Sequence, residues 1–150
     1  MLKFRFRPIS AVKLGNFVRY TEVNMYIGCH YLLQMSLDPK SSDILDDPDR
    51  LSQLSLEFCK LAEVRVLHTH FHKFSPQGVT GLILIAESHF TIHTWPETHY
   101  CAIDFFTCKS DLSKQDPTEF FITRLKPTAY KTEKILRDLP LLSVHSKAAQ

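Results

Sequence analysis

Within residues 87–97 the chain gathers Ser88, His89, His93, Glu87, Glu97 and its only tryptophan, Trp95. This is a hydroxyl, two imidazoles and two carboxylates directly after the apolar run Leu84-Ile85-Ala86. Buried strands rarely tolerate so many ionisable groups, so the stretch reads as a site. A serine at the end of an apolar strand can attack the carbonyl that precedes it, here that of Glu87, when the backbone is strained and a base is near. The product is an ester. Elimination across the Ser88 Cα–Cβ bond then breaks the chain and leaves a dehydroalanine, which hydrolyses to a pyruvoyl group. His93 suits the proton transfers, because imidazole titrates near neutral pH. In a strand over 90–94, His89, Thr91 and His93 share one face, with Phe90 and Ile92 on the other. On the residues alone, a plainer reading stands level with this one: a strand-end serine beside a half-buried histidine.

The elements that must position these groups are legible from periodicity and turn residues. Residues 31–37 read as a strand and 38–42 as a loop. Asp47 before Pro48 predicts a helix N-cap, and Leu51, Leu54, Phe58 and Leu61 recur at helical spacing over 48–62. Strands are predicted over 64–74, 80–86, 90–94 and 100–107, the second of them apolar almost throughout. Pro117 opens a short helix carrying Phe120, Phe121, Arg124 and Leu125, which Pro127 ends. A last strand is predicted over 130–136. Leu2, Phe4 and Phe6 alternate with basic residues as an edge strand would, until Pro8 ends the pattern. The order β-α-β-β-β-β-α-β predicts an α+β two-layer sandwich: an antiparallel sheet with helices on one face.

Composition is that of a globular domain, with 44% hydrophobic and 23% charged residues in 150. No apolar run approaches the ~20 residues that span a bilayer, and the N-terminus lacks the apolar segment of a signal peptide, so a cytoplasmic protein without a membrane partner is expected. Cys29, Cys59, Cys101 and Cys108 form neither a C-x-x-C pair nor a zinc spacing, and free thiols are expected. Of the net charge of +2, residues 1–20 carry +5 and residues 124–150 carry +4, which leaves −7 for residues 21–123. Basic ends of this kind are more often solvated termini than nucleic-acid sites, and no nucleic-acid partner is expected.

Residues 87–97, followed by Ala102-Ile103-Asp104-Phe105-Phe106-Thr107-Cys108 and preceded by His72-Lys73-Phe74-Ser75-Pro76-Gln77-Gly78-Val79-Thr80-Gly81, supply a more specific pattern. The order resembles the signature of the short prokaryotic S-adenosylmethionine decarboxylase proenzymes. Gly28-Cys29-His30 and Asp46-Asp47 add weaker matches. The resemblance covers residues 28–140, with 1–27 as an N-terminal extension and 141–150 as a tail. It implies cleavage between Glu87 and Ser88 into chains 1–87 and 88–150, with Ser88 becoming the pyruvoyl cofactor. His93 then corresponds to the processing histidine, Thr80 to a hydroxyl that assists processing, and Cys108 to the proton donor of catalysis. Phe74 corresponds to an adenine-stacking residue and Glu97 to the residue that holds the ribose; Trp95 lines the pocket or belongs to the core. The implied chemistry is Schiff-base formation with the substrate amine, with the pyruvoyl group as electron sink for decarboxylation. The implied assembly is a homodimer with paired sheet faces.

Departures from the family pattern mark a divergent member. Lys109 stands where glycine is usual, Thr98-His99 replaces a glycine-bearing turn, and Cys101 replaces an alanine. Arginine or ornithine is therefore an alternative substrate on the same machinery. An uncut regulatory homologue is a further alternative, against which the presence of Ser88, His93 and Cys108 argues. His68, His70 and His72 alternate along a predicted strand, but no acidic or cysteine ligand is interleaved and no metal site is expected.

Overall fold

The computed structural model describes residues 11–14, 17–20, 26–109, 112 and 116–138. Among them the chain forms β1 (Ala11–Leu14), β2 (Phe17–Tyr20), β3 (Tyr26–Ser36), α1 (Pro48–Leu61), β4 (Val66–Lys73), β5 (Val79–Ile85), β6 (Ser88–Trp95), β7 (Tyr100–Thr107), α2 (Pro117–Leu125) and β8 (Ala129–Asp138). β1 and β2 pair as an antiparallel hairpin, Ala11 opposite Tyr20 and Leu14 opposite Phe17, in a unit separate from Gly28–Leu136. The alternation expected over 2–7 and the expected tail 141–150 lie outside the described residues.

In the unit Gly28–Leu136 the sheet order is β4-β5-β6-β7-β3-β8, and the pairs β4/β5, β5/β6, β6/β7 and β7/β3 are antiparallel. This is the α+β architecture that the sequence predicts. Asp47 caps α1 by accepting from the N–H groups of Asp49 and Arg50 at 3.1 and 3.0 Å, with Pro48 at the first helical position, where its missing N–H costs nothing. Asp116 and Pro117 repeat the device at α2.

Both helices cover one face of the sheet. Phe58 of α1 stands at the centre, its ring 5.0 Å from Phe105, 5.5 Å from Phe120 and 5.4 Å from Phe121. Ile83, Phe90, Ile92, Ile103, Leu33 and Met35 of the strands complete this core. Two expectations are corrected. The segment read as a loop after residue 37 forms a 3-10 helix, Pro39–Asp46, capped by the Asp38 side chain. The buried stripe of α1 is Leu51, Ser55, Phe58 and Cys59, whereas Leu61 is exposed. Ser55 can occupy the core because its hydroxyl donates to the Leu51 carbonyl at 2.8 Å, so burial leaves no orphan donor.

The other face of the sheet carries no helix among the described residues. Directly opposed residues share a face, so three rows cross it: His68, Leu84, His89, Phe106 and His30; His70, Leu82, Thr91, Asp104 and Leu32; His72, Thr80, His93, Ala102 and Gln34. β5, predicted apolar almost throughout, thus buries Val79, Ile83 and Ile85 but leaves Leu82 and Leu84 exposed at 43% and 47%.

Candidate active site

At one end of the open face, Phe74, Gln77, Gly78, Thr80, His93, Thr94, Trp95 and Glu97 line a cleft of about 380 Å³. Thr80 and His93 are register partners on β5 and β6, which sets Thr80 Oγ1 3.0 Å from His93 Nδ1. Trp95 is exposed and stands 6.4 Å from the His93 ring and 5.4 Å from Tyr100, so it lines the cleft and is not a core residue. The Gln77 amide donates to a Glu97 carboxylate oxygen at 3.2 Å. The buried Thr94 hydroxyl donates to the Leu45 carbonyl and accepts from the Val79 N–H at 2.6 and 2.8 Å, tying the cleft floor to the 3-10 helix.

The loop that presents Phe74 is held from below. Asp46 accepts from the Gly78 N–H at 2.9 Å and pairs with Lys73 at 3.0 Å. That N–H and then the lysine charge hold the Asp46 carboxyl below the usual aspartate range. Gly78 has φ +98°, and a Cβ there would meet the Thr94 carbonyl oxygen at 3.0 Å, so both conformation and space call for glycine.

Ser88 lies at the opposite end of β6, opposite Ile85 and Thr107. Its φ of +138° is a conformation that side-chain-bearing residues rarely adopt. The turn before it is tied twice to Arg65: the Ala86 N–H donates to the Arg65 carbonyl at 2.8 Å, and the Glu87 carboxylate accepts from the Arg65 N–H at 3.1 Å. The Glu87 carbonyl oxygen accepts from the Cys108 N–H at 3.0 Å. The Ser88 hydroxyl is 3.3 Å from His89 Nδ1.

The predicted site residues therefore fall into two groups. Phe74, Thr80, His93, Trp95 and Glu97 meet in the cleft, and Glu87, Ser88 and Cys108 meet at the turn. Ser88 and His93 stand five positions apart on β6, ~16 Å at the rise of a strand. Gln77, and Asp46 as an anchor, carry no chemical signature in the sequence; each acquires its place through a partner distant along the chain.

The remaining features resolve as structure. Lys109 donates to the Ala62 and Glu63 carbonyls at 2.7 and 3.2 Å, closing the C-terminal end of α1. His99 adopts the left-handed conformation, φ +55°, that a glycine would take, and its Nδ1 is 2.8 Å from the Ser42 hydroxyl. All four cysteines are free; burial pushes the Cys59 and Cys101 thiols up to about 12, while Cys108 is half-buried. His68, His70 and His72 line exposed positions of β4, the latter two stacked at 6.5 Å. Among the described residues no group of three or more His, Cys, Asp or Glu side chains is placed to hold a metal ion. No helix among them is long and apolar enough to cross a membrane.

A family model described as S-adenosylmethionine decarboxylase matches residues 32–138. The chain belongs to the S-adenosylmethionine decarboxylase family. The S-adenosylmethionine decarboxylase proenzyme of Thermococcus onnurineus (strain NA1) is 35% identical over 114 residues, which cover 75% of this chain and 79% of that protein. The proenzyme of Pyrococcus furiosus is 35% identical over 101 residues, covering 67% of this chain and 70% of the relative. The crystal structure of the adenosylmethionine decarboxylase from Aquifex aeolicus VF5 superposes with a TM-score of 0.68 at 28% identity, covering 83% of this chain and 98% of that one. The α+β architecture described above is thus shared with a solved adenosylmethionine decarboxylase.

Proposed function

We propose that the chain is a proenzyme that cuts itself between Glu87 and Ser88, converts Ser88 to a pyruvoyl group and decarboxylates S-adenosylmethionine. The product is the aminopropyl donor for spermidine synthesis, and the mature form is a cytoplasmic homodimer of cleaved protomers. The observation that carries this reading is the Glu87–Ser88 turn, where a strained serine follows a carbonyl already held by the Cys108 N–H at 3.0 Å. When Ser88 Oγ adds to that carbonyl carbon, negative charge gathers on the oxygen to which the amide points. Conversion of the amide to an ester releases a backbone conformation that costs on the order of 1–3 kcal/mol.

The pyruvoyl group, once formed, supplies a carbonyl that captures the substrate amine and accepts the electron pair left by departing carbon dioxide. The Cys108 thiol, on the residue whose N–H holds the Glu87 carbonyl, would supply a proton to the carbon that carbon dioxide has left. In the cleft, the faces of Phe74 and Trp95 suit adenine and the sulfonium charge, and Glu97 suits the ribose hydroxyls. The Thr80–His93 pair serves proton transfer during processing.

Turn and cleft are too far apart in one chain to act on one substrate. Packing two open faces with their β6 strands antiparallel sets the turn of each protomer over the cleft of its partner, which completes two identical sites. It also covers Leu82 and Leu84. Four free thiols fit a reducing compartment.

Intact-mass measurement of the purified chain tests the proposal. Two species are expected, residues 1–87 and a pyruvoyl-blocked 88–150, and Ser88→Ala is expected to remain whole. A native chain of a single full-length mass would sink the reading. Assay of the cut protein on S-adenosylmethionine, arginine and ornithine in parallel identifies the substrate.

A further inference from the structure

We propose that His89 of the same chain, and not His93, takes the proton from the Ser88 hydroxyl when Ser88 attacks Glu87. This rests on the reading that the chain cuts itself at Ser88, and it names the base for the first step. In a regular strand, neighbouring side chains point to opposite faces and do not meet. The φ of +138° at Ser88 breaks that alternation, and Ser88 Oγ comes within 3.3 Å of His89 Nδ1. His93 is five residues along β6 with its Nδ1 3.0 Å from Thr80 Oγ1, so no hydrogen bond joins it to Ser88 of its own chain.

The His89 ring is held for this task. Register places it between Leu84 and Phe106 on the open face, with the Phe106 ring at 5.9 Å and the His30 ring edge-on at 6.4 Å. A neutral imidazole with its proton on Nε2 leaves Nδ1 free to accept. A separation of 3.3 Å is long for O–H···N, and such contacts tighten as the reaction proceeds.

The step balances within the turn. Ser88 Oγ–H passes its proton to His89 Nδ1, and the oxygen pair forms a bond to the Glu87 carbonyl carbon, whose π electrons move to the oxygen facing the Cys108 N–H. When that carbonyl re-forms, the bond to the Ser88 nitrogen breaks, and His89 returns the proton to that nitrogen. The result is an ester between Glu87 and Ser88 Oγ with a free α-amine on Ser88, and His89 is neutral again. Elimination of the Glu87 carboxylate is a separate, later step.

The test follows cleavage of freshly synthesised full-length chain by mass, with hydroxylamine as a probe, since it splits an ester at Ser88 and leaves an amide whole. His89→Asn keeps an acceptor oxygen near the Nδ1 position but takes no proton; His89→Ala removes both functions. Both variants are expected to cut about 100-fold more slowly than the native chain, the lower end of general acid–base effects. Uncut variant is expected to resist hydroxylamine, and added imidazole to speed the His89→Ala chain. Native-rate cutting by either variant would overturn the proposal. So would uncut His89→Ala chain that hydroxylamine splits at Ser88, because the ester would then have formed without His89. Failure of imidazole to act on His89→Ala protein that melts at the native temperature would also overturn it. A native chain that never cuts would remove self-cleavage itself, an outcome distinct from all of these.

Discussion

Cys108 meets the Glu87–Ser88 turn through its backbone N–H on the Glu87 carbonyl, and the role of that amide can be separated by mutation from the catalytic role proposed for the thiol. Cys108→Ala keeps the N–H and is expected to cut at the native rate, while kcat falls by roughly 10²–10⁴, the range for loss of a positioned proton donor. Cys108→Pro removes the N–H and is expected to stay whole. Mass measurement and steady-state kinetics on the two variants read both roles. The thiol role is legible in the sequence because residue type announces it; the amide role is not, since any residue but proline carries that group. The same holds for Lys109 and His99. Each looks like a loss when set against a glycine, and each has a purpose only because the fold brings a helix end or Ser42 within reach.

At the scale of elements, helix starts were the most legible feature. Asp47-Pro48 and Asp116-Pro117 encode their caps locally, and the structure starts α1 and α2 at those prolines. The buried stripe of α1 was less legible, because a hydrophobicity pattern cannot anticipate a serine that satisfies itself on Leu51. The loop between β4 and β5 is anchored over long range by Asp46, through the Gly78 N–H and Lys73. Its carboxyl titrates below the ordinary aspartate value of about 3.9, first through the Gly78 N–H and then through Lys73. A depressed folded-state value means that the anchor contributes stability above the unfolded value and loses it as pH falls through the folded one. Asp46→Asn is therefore expected to unfold at lower denaturant concentration than the native protein at pH 7. The gap should narrow progressively below pH ~4, as denaturant titrations at several pH values would show. Because Phe74 rides on this loop, the same variant is expected to raise KM more than it lowers kcat.

At the scale of the molecule, the length of β6 separates the proposed site into two halves, and the proposed dimer is the assembly that would join them. Chains with Ser88→Ala and with His93→Ala should each remain whole when expressed alone. Co-expressed, they are expected to form mixed dimers in which one composite site has both groups. The His93→Ala chain is then expected to be cut, and the Ser88→Ala chain not, by mass measurement of differently tagged copies. Cutting of neither would mean that His93 does not act across the interface. The sequence places both halves near one another along the chain and so hides their separation; only a strand of known length reveals it.

The sheet order β4-β5-β6-β7-β3-β8 has a consequence for a chain cut at Ser88. β3, β4 and β5 precede Glu87, and β6, β7 and β8 follow it, so the two pieces alternate across one sheet. In a chain cut at Ser88 as proposed, the folded pieces would stay joined by the full ladder between β5 and β6. Once unfolded they are two molecules, and neither contains a contiguous copy of the sheet. Refolding becomes an encounter that slows with dilution, so the working lifetime is governed by the rate of unfolding and not by an equilibrium. Maturation would thus be recorded in the chain as a loss of reversibility.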